Sequence, residues 1–181
     1  MEHRESIKEE VRRCGGEILN SRRMQEEKAF RQHGRVSVFA HSFAVACMSL
    51  YLARIFRVRA DRRALVRGAL LHDYFLYDWH VPDRSHRLHG FTHPGAALRN
   101  AERDFPLNAV ERDAIARHMF PLTPVPPKYR ESVLVCAADK LCALCETFSL
   151  LGWVARRTYE RRPADKRPRR KGIFRKLRRE C

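Results

Sequence analysis

The sequence predicts an all-α helical bundle followed by a basic C-terminal tail. Three observations lead there. Apolar residues recur at helical spacing along most of the chain, and the alternation of a half-buried strand is hard to find. A length of 181 residues with 44% hydrophobic content suits one domain with an enclosed core and excludes wholesale disorder. The formal charge of +16 is unevenly placed: from Arg156 to Glu180, thirteen Lys and Arg stand against three acids, a net of +10. The expected organisation is a helical domain over residues 1–155 and a flexible basic tail over 156–181. The six cysteines lie mostly in apolar or small-residue stretches, and the charged N-terminus has no apolar signal segment. Both features point to a reducing, cytoplasmic setting.

Each element has its own signal. Ile7, Val11, Cys14 and Ile18 recur at spacings of four, three and four, predicting an amphipathic helix that Gly15–Gly16 weakens or breaks. A second helix is expected from about Ser21 to Gln32, stopped by His33–Gly34. Long helices follow at about 36–56 and 61–77, the latter opened by Asp61 as N-cap. The apolar run from Val38 to Phe56 could reach across a bilayer, but His41, Ser42, Ser49 and Arg54 interrupt it. It reads as a buried helix, so no transmembrane segment is expected.

Residues 78–95 read as a polar loop carrying His80, His86, His89 and His93. Pro94 suits the first turn of a helix running to about Arg103. Because a residue before proline disfavours α geometry, His93 is expected at the N-cap, a single ligand rather than a helical pair with His89. Asn108 and Glu111 form a capping-box start for a helix through His118, and a proline-rich turn then leads to a last apolar helix over about 129–151.

Four of these helices carry an acid or an imidazole among apolar neighbours. His41 shares a face with Val45, Met48 and Leu52. His72–Asp73 sits inside "GALLHDYFLYDW", Asp139 lies on a stripe with Val135, Cys136, Cys142 and Ala143, and His118 follows Ala114 and Ile115. A single buried histidine is usually a satisfied core residue. An ionised carboxylate in such surroundings costs several kcal/mol, of order, unless a cation, a proton or a hydrogen-bond network compensates it. Four such groups on four helices are explained together by one metal site, because a divalent cation neutralises carboxylates and accepts imidazoles. The pair Cys142 and Cys145 could hold metal or act in redox chemistry, but with no visible partner set it reads better as small buried hydrophobes.

The ordered set His41, His72–Asp73, His93, His118 and Asp139 resembles the HD-domain metal-dependent phosphohydrolase superfamily. "VFAHSFAVA", "ALLHD" and "AADKL" look like that family's helices, and the resemblance covers about residues 33–148. It implies an HD-domain helical bundle holding one or two divalent transition metals, Mn, Fe, Co, Ni or Zn. By the family pattern His41, His72, Asp73 and Asp139 hold the first metal. His93 and His118, with Asp73 bridging, resemble the further ligands of two-metal members, including the HD-GYP cyclic-dinucleotide phosphodiesterases. The chain departs from HD-GYP members at His118–Met119, where they have paired histidines, and at Ser37, where they have a glutamate. It also lacks the glycine and lysine that follow their HD dipeptide, and cyclic-dinucleotide specificity is not assigned.

The expected function is hydrolysis of a phosphoester, by a metal-activated water, on a nucleotide or related phosphorylated substrate. Asp73 is the expected catalytic carboxylate and His89 a proton donor to the leaving group. Arg84, Arg87 and Lys140 are candidate substrate-binding cations, with His86 beside them. Trp79 and Phe91 could stack on a base or simply pack. The tail supports a different class of function, a nucleic-acid-binding module or a dock for an anionic surface. A regulatory metal-binding module without hydrolase activity is the other alternative.

Overall fold

A computed structural model describes residues 6–32, 36–80 and 88–147. Within them the chain forms seven helices: α1 (Ile7–Leu19), α2 (Arg22–Glu26), α3 (Val38–Ile55), α4 (Arg62–Leu71), α5 (His89–Asp104), α6 (Ala109–Arg117) and α7 (Arg130–Thr147). The only β pairing among the described residues is an isolated bridge between Arg31 and Ser37. The fold is the predicted all-α bundle.

The helix starts follow from local chemistry. Ser6 and Glu9 close a capping box on α1, and Asn108 and Glu111 close one on α6 as expected. Asp61 accepts from the amides of Arg63 and Ala64 and so caps α4. α3 is apolar around most of its circumference, because it packs against α1, α4 and α7. By length and composition it could cross a membrane, yet Val38, Phe39, Phe43, Val45, Ala46 and Leu50 are buried inside the bundle. A core helix passes the same test.

Arg67 ties three elements beneath this core. Its guanidinium donates to Glu111 at 2.8 Å, to Glu17 at 3.1 Å and to the Pro106 carbonyl at 2.9 Å. A buried arginine is tolerated when its donors are satisfied in this way.

Four expectations need correction. The break at Gly15–Gly16 does not occur, and α1 runs through both residues. Gly15 serves contact instead: a Cβ there would collide with Leu70 Cδ1, so its absence lets α1 lie close on α4. The second helix is one turn long, not twelve residues. The carbonyls of Glu27 and Phe30 accept from the amides of Phe39 and Val38, which docks the segment on the start of α3 instead of extending α2.

The third correction concerns α4, which ends at Leu71, six residues early. His72 is its C-cap, and Asn100 of α5 donates to the carbonyls of Tyr74 (3.1 Å) and Phe75 (3.0 Å), holding the following residues in a turn. Leu76 completes that turn at φ 62. The fourth is that α5 begins at His89, with Pro94 inside it. Proline removes one amide bond near the helix start, and His93 stays helical. The sequence-predicted end of the last helix, and the tail from 156, lie outside the described residues.

Candidate metal centre

Five helices deliver six polar side chains to one buried point. His41 comes from the first turns of α3, and His72 and Asp73 from the end of α4. His93 lies in the second turn of α5, His118 caps the end of α6, and Asp139 projects from mid-α7. None is more than 8% exposed. Ending α4 at Leu71 matters here, because the turn places Asp73 between the imidazoles on both sides.

Asp73 is the hub. Its Oδ1 lies 3.2 Å from His93 Nε2 and 3.5 Å from His118 Nε2, while Oδ2 lies 3.3 Å from His72 Nε2 and 3.7 Å from His41 Nε2. Gln32 donates to Oδ2 at 2.6 Å. Asp139 Oδ1 faces His41 Nε2 at 3.1 Å and His72 Nε2 at 3.6 Å. Two groups, His41–His72–Asp139 and His72–Asp73–His118, each offer ligand atoms within 4.8 Å of one another.

The imidazoles are aimed by their other nitrogen. Nδ1 of His72 meets the Ala69 carbonyl at 2.7 Å, Nδ1 of His93 meets the His89 carbonyl at 2.8 Å, and Nδ1 of His118 meets the Ile115 carbonyl at 2.9 Å. A carbonyl only accepts, so each Nδ1 carries a hydrogen and each neutral ring presents an Nε2 lone pair inward. His41 is oriented differently: its Nδ1 lies 3.0 Å from both oxygens of Glu146. A second-layer carboxylate or carbonyl behind each imidazole is the arrangement that orients histidine ligands of metals.

The residues fit a divalent cation by a test independent of family. His72 Nε2 and Asp73 Oδ1 are buried without a hydrogen-bond partner. His93 Nε2 and His118 Nε2 stand 2.9 Å apart with both Nδ1 atoms committed to carbonyls, so two lone pairs confront each other unless a cation or proton lies there.

Protonation tells the same story. Burial pulls His41 down, but hydrogen bonds to Asp139 and Glu146 outweigh it and raise the group to about 9. Burial likewise opposes the charged His72, and the Asp73 and Asp139 carboxylates overcome it, raising that group well above the ordinary range. Asp73 and Asp139 are held low against burial by the facing imidazoles. Burial and the neighbouring His72 charge press His118 down to about 3, so it is neutral. The carboxylates of Asp73, Asp139 and Glu146 thus favour positive charge at this buried point. Mixed imidazole and carboxylate donors suit a divalent cation.

The structure places the remaining candidates at the edge or elsewhere. His89 lies outside the cluster, stacked between Trp79 (5.1 Å, 6°) and His93 (4.6 Å, 22°), with Nδ1 3.0 Å from the Tyr77 hydroxyl. Lys140 donates to the His118 carbonyl at 2.7 Å. Arg84, His86 and Arg87 lie outside the described residues. Cys142 and Cys145 are both free thiols, and burial pushes Cys142 up.

Three residues at the site escaped sequence reasoning: Gln32, Glu146 and Glu27. Glu146 lies seven residues after Asp139, two helical turns along the same face, and that spacing was the available signal. Glu27 is fully buried beside Asp73. Burial first, then the nearby Asp73 charge, keep it protonated well above the ordinary carboxylate range.

A family model for the HD domain matches residues 38–144. No curated protein and no solved structure matches the chain. The matched span runs from the first residue of α3 into α7 and contains His41, His72, Asp73, His93, His118 and Asp139. More than half of the chain is covered by this match, and the chain belongs to the HD-domain family.

Proposed function

We propose that the chain is a metal-dependent phosphohydrolase acting on a phosphoester of a nucleotide or a related phosphorylated small molecule. The observation that carries this reading is the convergence of four backbone- or carboxylate-oriented imidazoles and two aspartates on one buried point. His41, His72, Asp73 and Asp139 would hold a first cation, and His93 and His118, with Asp73 between them, a second. A bound divalent cation supplies Lewis acidity toward a phosphoryl oxygen and activates water for in-line attack.

The protein's own groups do the rest. Asp73 fixes the imidazoles from both sides, and Gln32 fixes Asp73. His89 sits beside His93 on the outer side of the cluster, where its ring can give a proton to a leaving oxygen. The Tyr77 hydroxyl at Nδ1 and the Trp79 face hold that ring in place. Lys140, with Arg84 and Arg87, would neutralise the substrate's remaining negative charge.

The test is hydrolysis of a panel of nucleoside monophosphates, nucleoside triphosphates, cyclic dinucleotides and 5′-phosphorylated RNA by protein reconstituted with Mn or Fe. Metal-dependent release of product from at least one member, lost in Asp73→Ala, is expected. A metal-loaded protein inert toward the whole panel would support the regulatory metal-binding module instead.

A further inference from the structure

The α3–α4 connection forms a second polar feature at the opposite end of these helices. Arg54 lies thirteen residues beyond His41 on α3, about 20 Å at 1.5 Å per residue. There Arg54, Arg57, Arg59 and Arg62 wall an open cleft of about 610 Å³. Glu10 pairs with Arg54 and lies 3.8 Å from Arg62 Nη1. The other nearby carboxylates are occupied: Asp61 caps α4, and Glu131 accepts from the Asp61 amide. Arg57 and Arg59 are exposed and face no carboxylate partner among the described residues, and Arg62 Nη1 is buried without a hydrogen bond. Guanidinium groups outnumber the carboxylate that reaches into the cleft by four to one.

The backbone adds a second observation. α3 ends in a Schellman motif: Val58 donates to the Ala53 carbonyl at 2.9 Å and Arg57 to Arg54 at 3.3 Å. The residue after the cap is left-handed, and glycine is the usual occupant. Here it is Arg57, at φ 52. A non-glycine residue in that region costs of order 1 kcal/mol, and Arg57 is exposed. Its guanidinium is carried at a position where the backbone disfavours it.

We propose that this arginine cleft binds an anion of linked phosphoryl groups, at a site separate from the metal centre. Guanidinium forks match phosphate oxygens in pairs, and the cleft volume lies in the ordinary range of small-molecule sites, larger than a lone phosphate needs. The shared chemistry is the phosphate chain, free or as part of a nucleotide.

The test titrates inorganic tripolyphosphate calorimetrically into the full-length chain, into Arg57→Gly/Arg59→Ala and into Asp73→Ala. The wild type and Asp73→Ala should bind alike, and the double variant roughly tenfold or more weakly, as expected for lost charge-assisted hydrogen bonds. Arg57→Gly alone should raise the thermal midpoint while weakening binding, the combination that a merely structural arginine would not give. Unchanged affinity in the double variant would place the anion on the basic tail or another surface, and loss of binding in Asp73→Ala would place it at the metal centre. Either result overturns the proposal.

Discussion

His41 has a carboxylate at each nitrogen, Asp139 in front and Glu146 behind. Glu146 therefore sets the basicity and direction of His41 without itself reaching the cluster. Glu146→Gln keeps the shape and removes the charge, and a chelator-competition titration should show metal affinity reduced by roughly 10–100-fold, the usual effect of a second-layer partner. Unchanged affinity would mean that Glu146 only packs.

The same pair sets a pH dependence. In the metal-free protein, His41 titrates at about 9 rather than 6.5, so the stability its proton contributes is complete below pH 6.5 and lost as pH rises through 9. A divalent cation takes that proton's place, so the rise in thermal midpoint on adding metal should grow across this window. A rise that shrinks from pH 6.5 to 9 contradicts the exchange of protons for metal. His41, Asp73 and Asp139 were legible because polar groups on apolar helical faces are conspicuous. Gln32 was not, because its contact with Asp73 spans 41 residues and no local pattern encodes such a distance.

Helix existence was legible and helix ends were less so, for a reason that the two glycines of α1 illustrate. Propensity treats Gly15 and Gly16 as equal breakers, but tertiary contact separates them. A Cβ at Gly15 meets Leu70 and Val66, both buried, whereas one at Gly16 meets nothing within 4 Å. Gly15→Ala should destabilise by about 1–3 kcal/mol through overpacking. Gly16→Ala should stabilise by about 0.5–1 kcal/mol through reduced unfolded-state freedom. Denaturant midpoints of the two variants check both signs at once. α4 and α5 carry the same lesson. The Asn100 side chain ends the first early, and the stack of His89 on His93 accompanies a helical start that Pro94 argued against. The Asn100 contacts span 26 and 25 residues, so no local pattern encodes them.

At the scale of the whole molecule, the bundle places the HD dipeptide where α4 stops, and six groups from five helices meet there. The family match spans α3, the His–Asp turn and most of α7, while Glu146, Gln32 and Glu27 extend the site beyond residues 38–144. Of the formal charge of +16, a net of +10 belongs to residues 156–180.

We propose that the cluster around Asp73 holds metal. The direct measurement is elemental analysis of protein purified without an affinity tag or chelator, beside Asp73→Ala and a chain lacking residues 156–181. One or two equivalents of transition metal are expected in the intact and shortened chains, and none in Asp73→Ala. Two equivalents would identify His93 and His118 as ligands of a second cation. Wild-type protein that stays metal-free after reconstitution with Mn and Fe, or an Asp73→Ala variant that keeps its full metal content, would contradict the account.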